Sequence, residues 1–223
     1  MIQRVWERAR QSRYLTEVVI ATDDDRVLEV AASFGARAMM TEPAHPSGTD
    51  RVAEVARSEA AEIVVNIQGD EPLIEPAAID AAIEPLIEDP AVVMSTLKTR
   101  IENAEDAADP NVVKVVTAFN GDAIYFSRHA IPFERDGAVH RPGLHFKHIG
   151  LYVYRRDLLL AYPSLPIGPL ERTERLEQLR ALENGYRIRV VETAYDSLGV
   201  DTPEDLERAC RVFDALQSRE GRR

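Results

Sequence analysis

Residues 63–72, IVVNIQGDEP, limit the possible folds more than any other stretch of the chain. Ile63, Val64, Val65 and Ile67 make a short, nearly unbroken apolar run, which suits a strand buried on both faces of a parallel sheet. The run stops abruptly at Gln68-Gly69-Asp70-Glu71-Pro72. Gly69 lets the backbone turn there or approach a ligand closely. Asp70 and Glu71 place carboxylates at the carboxyl end of the strand, the edge of an open α/β sheet where ligands sit.

The flanking patterns alternate between helix and strand. Ile2, Val5, Trp6 and Ala9 recur with helical spacing, and residues 17–21 (EVVIA) read as a strand. Asp23 or Asp24 can cap the next helix, whose apolar face is Val27, Val30, Ala31 and Phe34 and which Gly35 ends. A strand over 36–40, a loop over 45–48 and a helix over 49–59 lead into the 63–72 stretch. A helix over 76–89, with a bend expected at Pro85, and a strand over 92–97 follow it. This alternation predicts a three-layer, mostly parallel α/β sheet.

Near residue 110 the pattern changes. Segments 112–119 and 122–127 flank Asn120-Gly121, a hairpin signal. Residues 132–146 read as a loop or protruding arm. In 147–155 (KHIGLYVYR) the period is two: His148, Gly150, Tyr152 and Tyr154 share one face, Ile149, Leu151 and Val153 the other. A smaller mixed β subdomain over about 112–155 is expected within one domain spanning 1–223. A helix over 174–184, packed through Leu176, Leu179 and Leu182, and a strand over 187–192 come next. Thr202-Pro203-Glu204-Asp205 has the form of a helix start.

Composition narrows the function. A formal net charge of −11 argues against general nucleic-acid binding, although local arginines or a metal can still hold a nucleotide. No apolar run approaches membrane-spanning length and residues 1–10 have no signal-peptide core, so a soluble, cytosolic chain is expected. The single cysteine, Cys210, excludes an internal disulfide and a cysteine-cluster metal site, and its apolar neighbours predict a core thiol. No Ser-His-Asp order and no GxGxxG fingerprint is present.

Several residues carry possible chemistry. Asp70 and Asp201, both at strand-to-helix junctions, could share Mg²⁺, or each could cap a turn or helix. The segment 45–51 (HPSGTDR) puts small and hydroxyl residues before a helix, which suits a polar ligand edge and equally an ordinary N-cap. Arg128 could take a carboxylate or lie on the surface. His148 and Tyr152 could line a pocket or a half-exposed sheet face; Glu177 and Gln178 could point at sugar hydroxyls or at water.

Taken in order, VVIATDD (18–24), MTEPAHPSGTDR (40–51), VVNIQGDEP (64–72), DPNVVKVV (109–116), AIYFSRHAIP (123–132), HIGLYVYR (148–155), PLERTERLEQLR (169–180) and GVDTPEDLE (199–207) resemble the 3-deoxy-manno-octulosonate (KDO) cytidylyltransferases, or CMP-KDO synthetases. The resemblance implies a nucleotide-diphospho-sugar transferase-like fold and the conversion of CTP and KDO to CMP-KDO and pyrophosphate, for lipopolysaccharide synthesis. It assigns Asp70 and Asp201 to Mg²⁺, and Arg128, His148, Tyr152, Glu177 and Gln178 to KDO. It places Ser47, Gly48, Thr49, Arg51 and Gln68 on the nucleotide side, and implies a homodimer joined through the 112–155 region. A cytidylyltransferase for another acidic sugar, such as a sialic acid, is the nearest alternative. A non-catalytic dimerising or sugar-binding remnant is another.

Members of that family begin with a strand and a loop resembling IPARxxSxRLPGKPL, which supplies arginine and lysine to the triphosphate. Here Met1 falls where the first helix begins. The resemblance therefore predicts a start upstream or a true truncation, the intact motifs favouring the former, and poor activity for the chain as it stands.

Overall fold

A computed structural model describes residues 1–135, 143–200 and 202–220. The chain opens with α1 (Ile2–Ala9), which buries Val5 and Ala9. Then come β1 (Val19–Thr22), α2 (Asp25–Ser33) and β2 (Arg37–Met40), with β1 and β2 paired in parallel. Of the expected cap candidates, Asp24 is the N-cap of α2, accepting the N–H of Arg26. Gly35 follows the helix at φ 76°, a conformation that favours glycine. Next are α3 (Gly48–Ser58), β3 (Ile63–Asn66), α4 (Pro76–Glu88), β4 (Met94–Arg100) and α5 (Ala104–Ala108).

In the second half, β5 (Lys114–Thr117) and β6 (Ala123–Ser127) form the hairpin that Asn120-Gly121 predicts, with Gly121 at φ 84°. The long β7 (Phe146–Arg155), α6 (Arg156–Ala161), a 3-10 turn at Tyr162–Ser164, α7 (Pro169–Glu174), α8 (Leu179–Glu183), β8 (Arg189–Glu192) and α9 (Pro203–Glu220) complete the chain. Thr202 and Asp205 cap α9 reciprocally: the Asp205 N–H donates to Thr202 Oγ1 at 3.2 Å and the Thr202 N–H to Asp205 Oδ2 at 3.1 Å.

The main sheet has the order β6-β5-β7-β4-β8, with β3 on β7. Strand direction is mostly shared, since β3, β4, β5 and β8 all point one way. The ladders are nonetheless mostly antiparallel, because β7 inserts between β3 and β4 and runs against both. The expected 112–155 segment thus lies in the same sheet as β4 and β8.

Helices cover both faces of this sheet. On one, Val5, Ala9, Ile79 and Ile83 pack against Leu97, Ile149, Leu151 and Val153. On the other, Ala53, Ala56, Leu159 and Leu179 pack against Met94, Tyr154 and Val190. Fully burying each Leu or Ile contributes about 1.5–3 kcal/mol. The alternation read in β7 therefore decides which side chains meet which helix layer. Among the described residues no helix is long and apolar enough to cross a membrane.

Two local expectations need correction. The helix expected over 174–184 is broken: α7 ends at Glu174, Arg175 takes a left-handed conformation (φ 53°), and α8 starts at Leu179. The buried Arg180 bridges the break by bidentate hydrogen bonds to Glu171 at 2.9 and 2.6 Å. Cys210 is exposed rather than in a core: over 203–213 of α9 Ala209 is buried, while Leu206 and Val212 are exposed.

Candidate active site

The carboxyl ends of β3 and β4, with the middle of β7 between them, collect most of the candidate residues. Ser47 is the N-cap of α3: its hydroxyl accepts the Asp50 N–H at 3.2 Å. The same oxygen donates to Glu177 Oε1 at 2.8 Å and also contacts Asp50 Oδ2. One hydroxyl hydrogen serves one carboxylate at a time. Burial raises the pKa of Glu177, opposed by hydrogen bonds from Thr49 and Ser47. The Tyr162 hydroxyl donates to the Glu177 carbonyl at 2.8 Å and fixes the backbone of the turn. Arg175, left-handed at φ 53°, lies two residues before Glu177, whose side chain reaches the start of α3.

Thr49, on the first turn of α3, is fully buried, 3.4 Å from the Tyr154 hydroxyl and 3.4 Å from Asn66 Nδ2. Asn66 pairs with Tyr152 in the ladder between β3 and β7. Along β7, His148 and Tyr152 lie with ring centroids 5.4 Å apart, and Tyr152 and Tyr154 6.1 Å. Phe126 of β6 meets His148 edge-on at 4.9 Å. Burial pushes the His148 pKa down to about 3, so the ring is neutral at ordinary pH. Burial likewise raises the Tyr152 hydroxyl well above its usual value.

Arg128 follows β6 and is clamped by backbone carbonyls. Nε donates to Glu174 O at 2.8 Å, Nη1 to Pro110 O at 3.0 Å and Nη2 to Arg175 O at 3.4 Å. Its own N–H donates to Glu174 Oε2 at 2.9 Å. Beneath it the fully buried Lys114 donates to Asp109 O at 2.8 Å and Arg128 O at 2.5 Å. Each terminal guanidinium nitrogen keeps a second N–H for an anion.

Asp70 lies past the end of β3, and its carbonyl accepts the Val200 N–H at 3.0 Å. The backbone next to position 201 is thereby pinned to the turn that carries Asp70; Asp201 itself lies outside the described residues. Glu71 accepts the Tyr195 hydroxyl at 2.8 Å, and burial raises its pKa. Gln68, partly buried, sits in the same turn. Arg51 points elsewhere, to Thr41 Oγ1 at 2.5 Å and Asp23 Oδ2 at 2.9 Å, at the ends of β2 and β1. Gly48 opens α3, and Gln178 is buried in the turn before α8. Among the described residues no three His, Cys, Asp or Glu side chains gather as a metal set.

Ser47 is thus bonded to Glu177, and Thr49 connects through Tyr154 to Tyr152 and His148; Arg128 follows β6, the strand whose Phe126 meets His148. Gln68 and Asp70 follow the carboxyl end of β3, whereas Arg51 reaches to the ends of β1 and β2, which form a separate two-stranded sheet. No sequence pattern pointed to Thr96, a β-branched residue in β4 whose hydroxyl lies 2.9 Å from His148 Nε2, or to Tyr162. Lys114 lay in a recognised motif, but nothing local marked its ammonium as buried.

A family model for cytidylyltransferases matches residues 1–188. The chain is 68% identical over 215 residues to a 3-deoxy-manno-octulosonate cytidylyltransferase of Solibacter usitatus, covering 96% of this chain and 84% of the relative. It is 56% identical over 216 residues to one from Geobacter sulfurreducens, covering 93% and 86%. A solved CMP:2-keto-3-deoxy-manno-octonic acid synthetase complexed with CTP is similar at a TM-score of 0.89 and 44% identity, covering 98% of this chain and 88% of that one.

Proposed function

The chain belongs to the 3-deoxy-manno-octulosonate cytidylyltransferase family, and on that premise we propose that it activates KDO with CTP, forming CMP-KDO and releasing pyrophosphate. The observation that carries this is 68% identity across 96% of the chain to a relative of that name. In the reaction, the sugar's anomeric hydroxyl attacks the α-phosphorus and pyrophosphate leaves. The protein's work is to position the reactants and neutralise charge.

Arg128, held rigid by three carbonyls, takes the sugar's carboxylate. His148, Tyr152, Glu177 and Gln178 surround its hydroxyls. Ser47, Gly48, Thr49, Arg51 and Gln68 serve the nucleotide, so the Ser47–Glu177 bond joins the two substrate sides.

Asp70 and Asp201 are the proposed Mg²⁺ ligands. Their hard oxygens suit that ion, which keeps several waters and binds through one or two carboxylates together with substrate phosphates. A three-residue protein set is therefore not needed. When bound, Mg²⁺ neutralises phosphate charge and lowers the pKa of the attacking hydroxyl. A homodimer joined through about 112–155, a cytoplasmic location and supply of CMP-KDO to lipopolysaccharide complete the reading; the motifs resembling the family support them.

The test is pyrophosphate release from CTP with KDO or with N-acetylneuraminate as acceptor. Preference for KDO is expected, and preference for N-acetylneuraminate would overturn the substrate assignment.

A further inference from the structure

Thr96 stands in β4 where the ladder with β7 is interrupted. Thr96 pairs with Tyr152 and Leu97 with Ile149, so Gly150 and Leu151 bulge out of register. The bulge leaves the carbonyls of Ile149 and Leu151 facing the Thr96 hydroxyl, at 3.0 and 2.8 Å. The same oxygen is 2.9 Å from His148 Nε2. Thr96 is 0% exposed and His148 8%, so water cannot substitute freely for any of these partners.

A hydroxyl has one hydrogen, and carbonyls never donate. If that hydrogen pointed at Nε2, the Thr96 oxygen would face both carbonyl oxygens with no hydrogen between them. If it points at a carbonyl, Nε2–H donates to Thr96 Oγ1 and the hydrogen bonds run in one direction. We infer that Thr96 is a positioning residue that holds His148 as the Nε2–H tautomer, leaving Nδ1 as a hydrogen-bond acceptor for a hydroxyl of the sugar. The tautomer follows from the network, as is usual for imidazoles. Burial supports it by keeping the ring unprotonated. Phe126 and Tyr152, with centroids 4.9 and 5.4 Å away, fix the ring plane.

The consequence is a division of labour. An acceptor nitrogen repels a carboxylate and selects a hydroxyl donor, so the sugar's carboxylate falls to Arg128. This acceptor role rests on the reading that His148 faces the sugar; the tautomer does not.

Nitrogen-15 NMR of the histidine-labelled protein tests both steps. The free protein should show His148 protonated at Nε2 and bare at Nδ1, and Thr96→Val should shift the population toward Nδ1–H while Thr96→Ser restores the original form. A wild-type ring protonated at Nδ1, or a Thr96→Val ring unchanged, overturns the inference. The wild-type spectrum decides it even if the valine variant fails to fold. Adding KDO should shift the Nδ1 resonance. An unmoved resonance with the predicted tautomer in place overturns the acceptor role alone. In turnover, Thr96→Val should raise KM for the sugar about tenfold, the size expected for one lost hydrogen bond, with a smaller change in kcat.

Discussion

The Ser47 hydroxyl donates to Glu177 Oε1 at 2.8 Å across 130 positions of sequence. One end of this bond caps α3 and the other stands on the strained turn after Arg175. Replacing Ser47 with Ala removes the cap and the bond together. Urea denaturation should show a loss of about 1 kcal/mol, the usual effect of deleting a serine cap. The Ser47 bond also holds the pKa of Glu177 down against burial. Carboxyl carbon-13 titration should therefore find Glu177 higher in Ser47→Ala than in the parent; a lower value would contradict the arrangement.

His148 makes the fold sensitive to acid. The unfolded imidazole takes its proton near pH 6.5, about where free histidine does, whereas the folded one waits until about 3. Its contribution to stability is complete above about pH 6.5 and is lost progressively as pH falls toward 3. Between pH 5 and 8 the His148 ring should not titrate by NMR. A His148 midpoint within that range would show that the ring is not buried as described.

Asp80, on α4, holds the turn that follows α1. It accepts the Ser12 hydroxyl at 2.6 Å, the Arg13 N–H at 2.9 Å and Arg13 Nε at 2.9 Å. Burial alone would raise its pKa, but these bonds outweigh it and the net shift is downward. Asp80→Asn should cost about 1.5–3 kcal/mol at pH 7, the range for charge-assisted bonds. Because the folded pKa is depressed, that contribution is complete above the unfolded value of about 3.9. It disappears as pH falls through the lower folded value, so parent and variant should converge in acid urea titrations.

Asp70 sits where the Val200 N–H meets its carbonyl. Asp70→Asn keeps the shape and that backbone bond but removes a carboxylate from the proposed Mg²⁺ site. The Mg²⁺ concentration for half-maximal pyrophosphate release should rise at least about tenfold. Chelation should abolish turnover in the parent and Mg²⁺ should restore it. Activity unaffected by either treatment would remove Asp70 from metal binding.

What the sequence determined by itself is short in range. The apolar run at 63–67 is a strand by composition, Asp24 and Thr202 are caps by residue type, and Asn120-Gly121 is a hairpin turn by backbone preference. The faces of β7 follow from period two alone. Each of these depends on neighbours a few residues away, whose energetics are written in the local chain. Motifs spread along the chain carried the family in the same way.

Tertiary structure alone decided the rest. Helical spacing over 174–184 gave no warning of the break at Arg175, because the bonds that sustain it come from Tyr162 and from Arg180 with Glu171. Period two in β7 gave no warning of the bulge at Gly150, which depends on the register with β4. Lys114 looked like any strand lysine until folding closed the Asp109 and Arg128 carbonyls around its ammonium. In each case the deciding partners lie outside the local helix or strand pattern, and their contribution exists only once packing has excluded water and left those polar groups no alternative to one another.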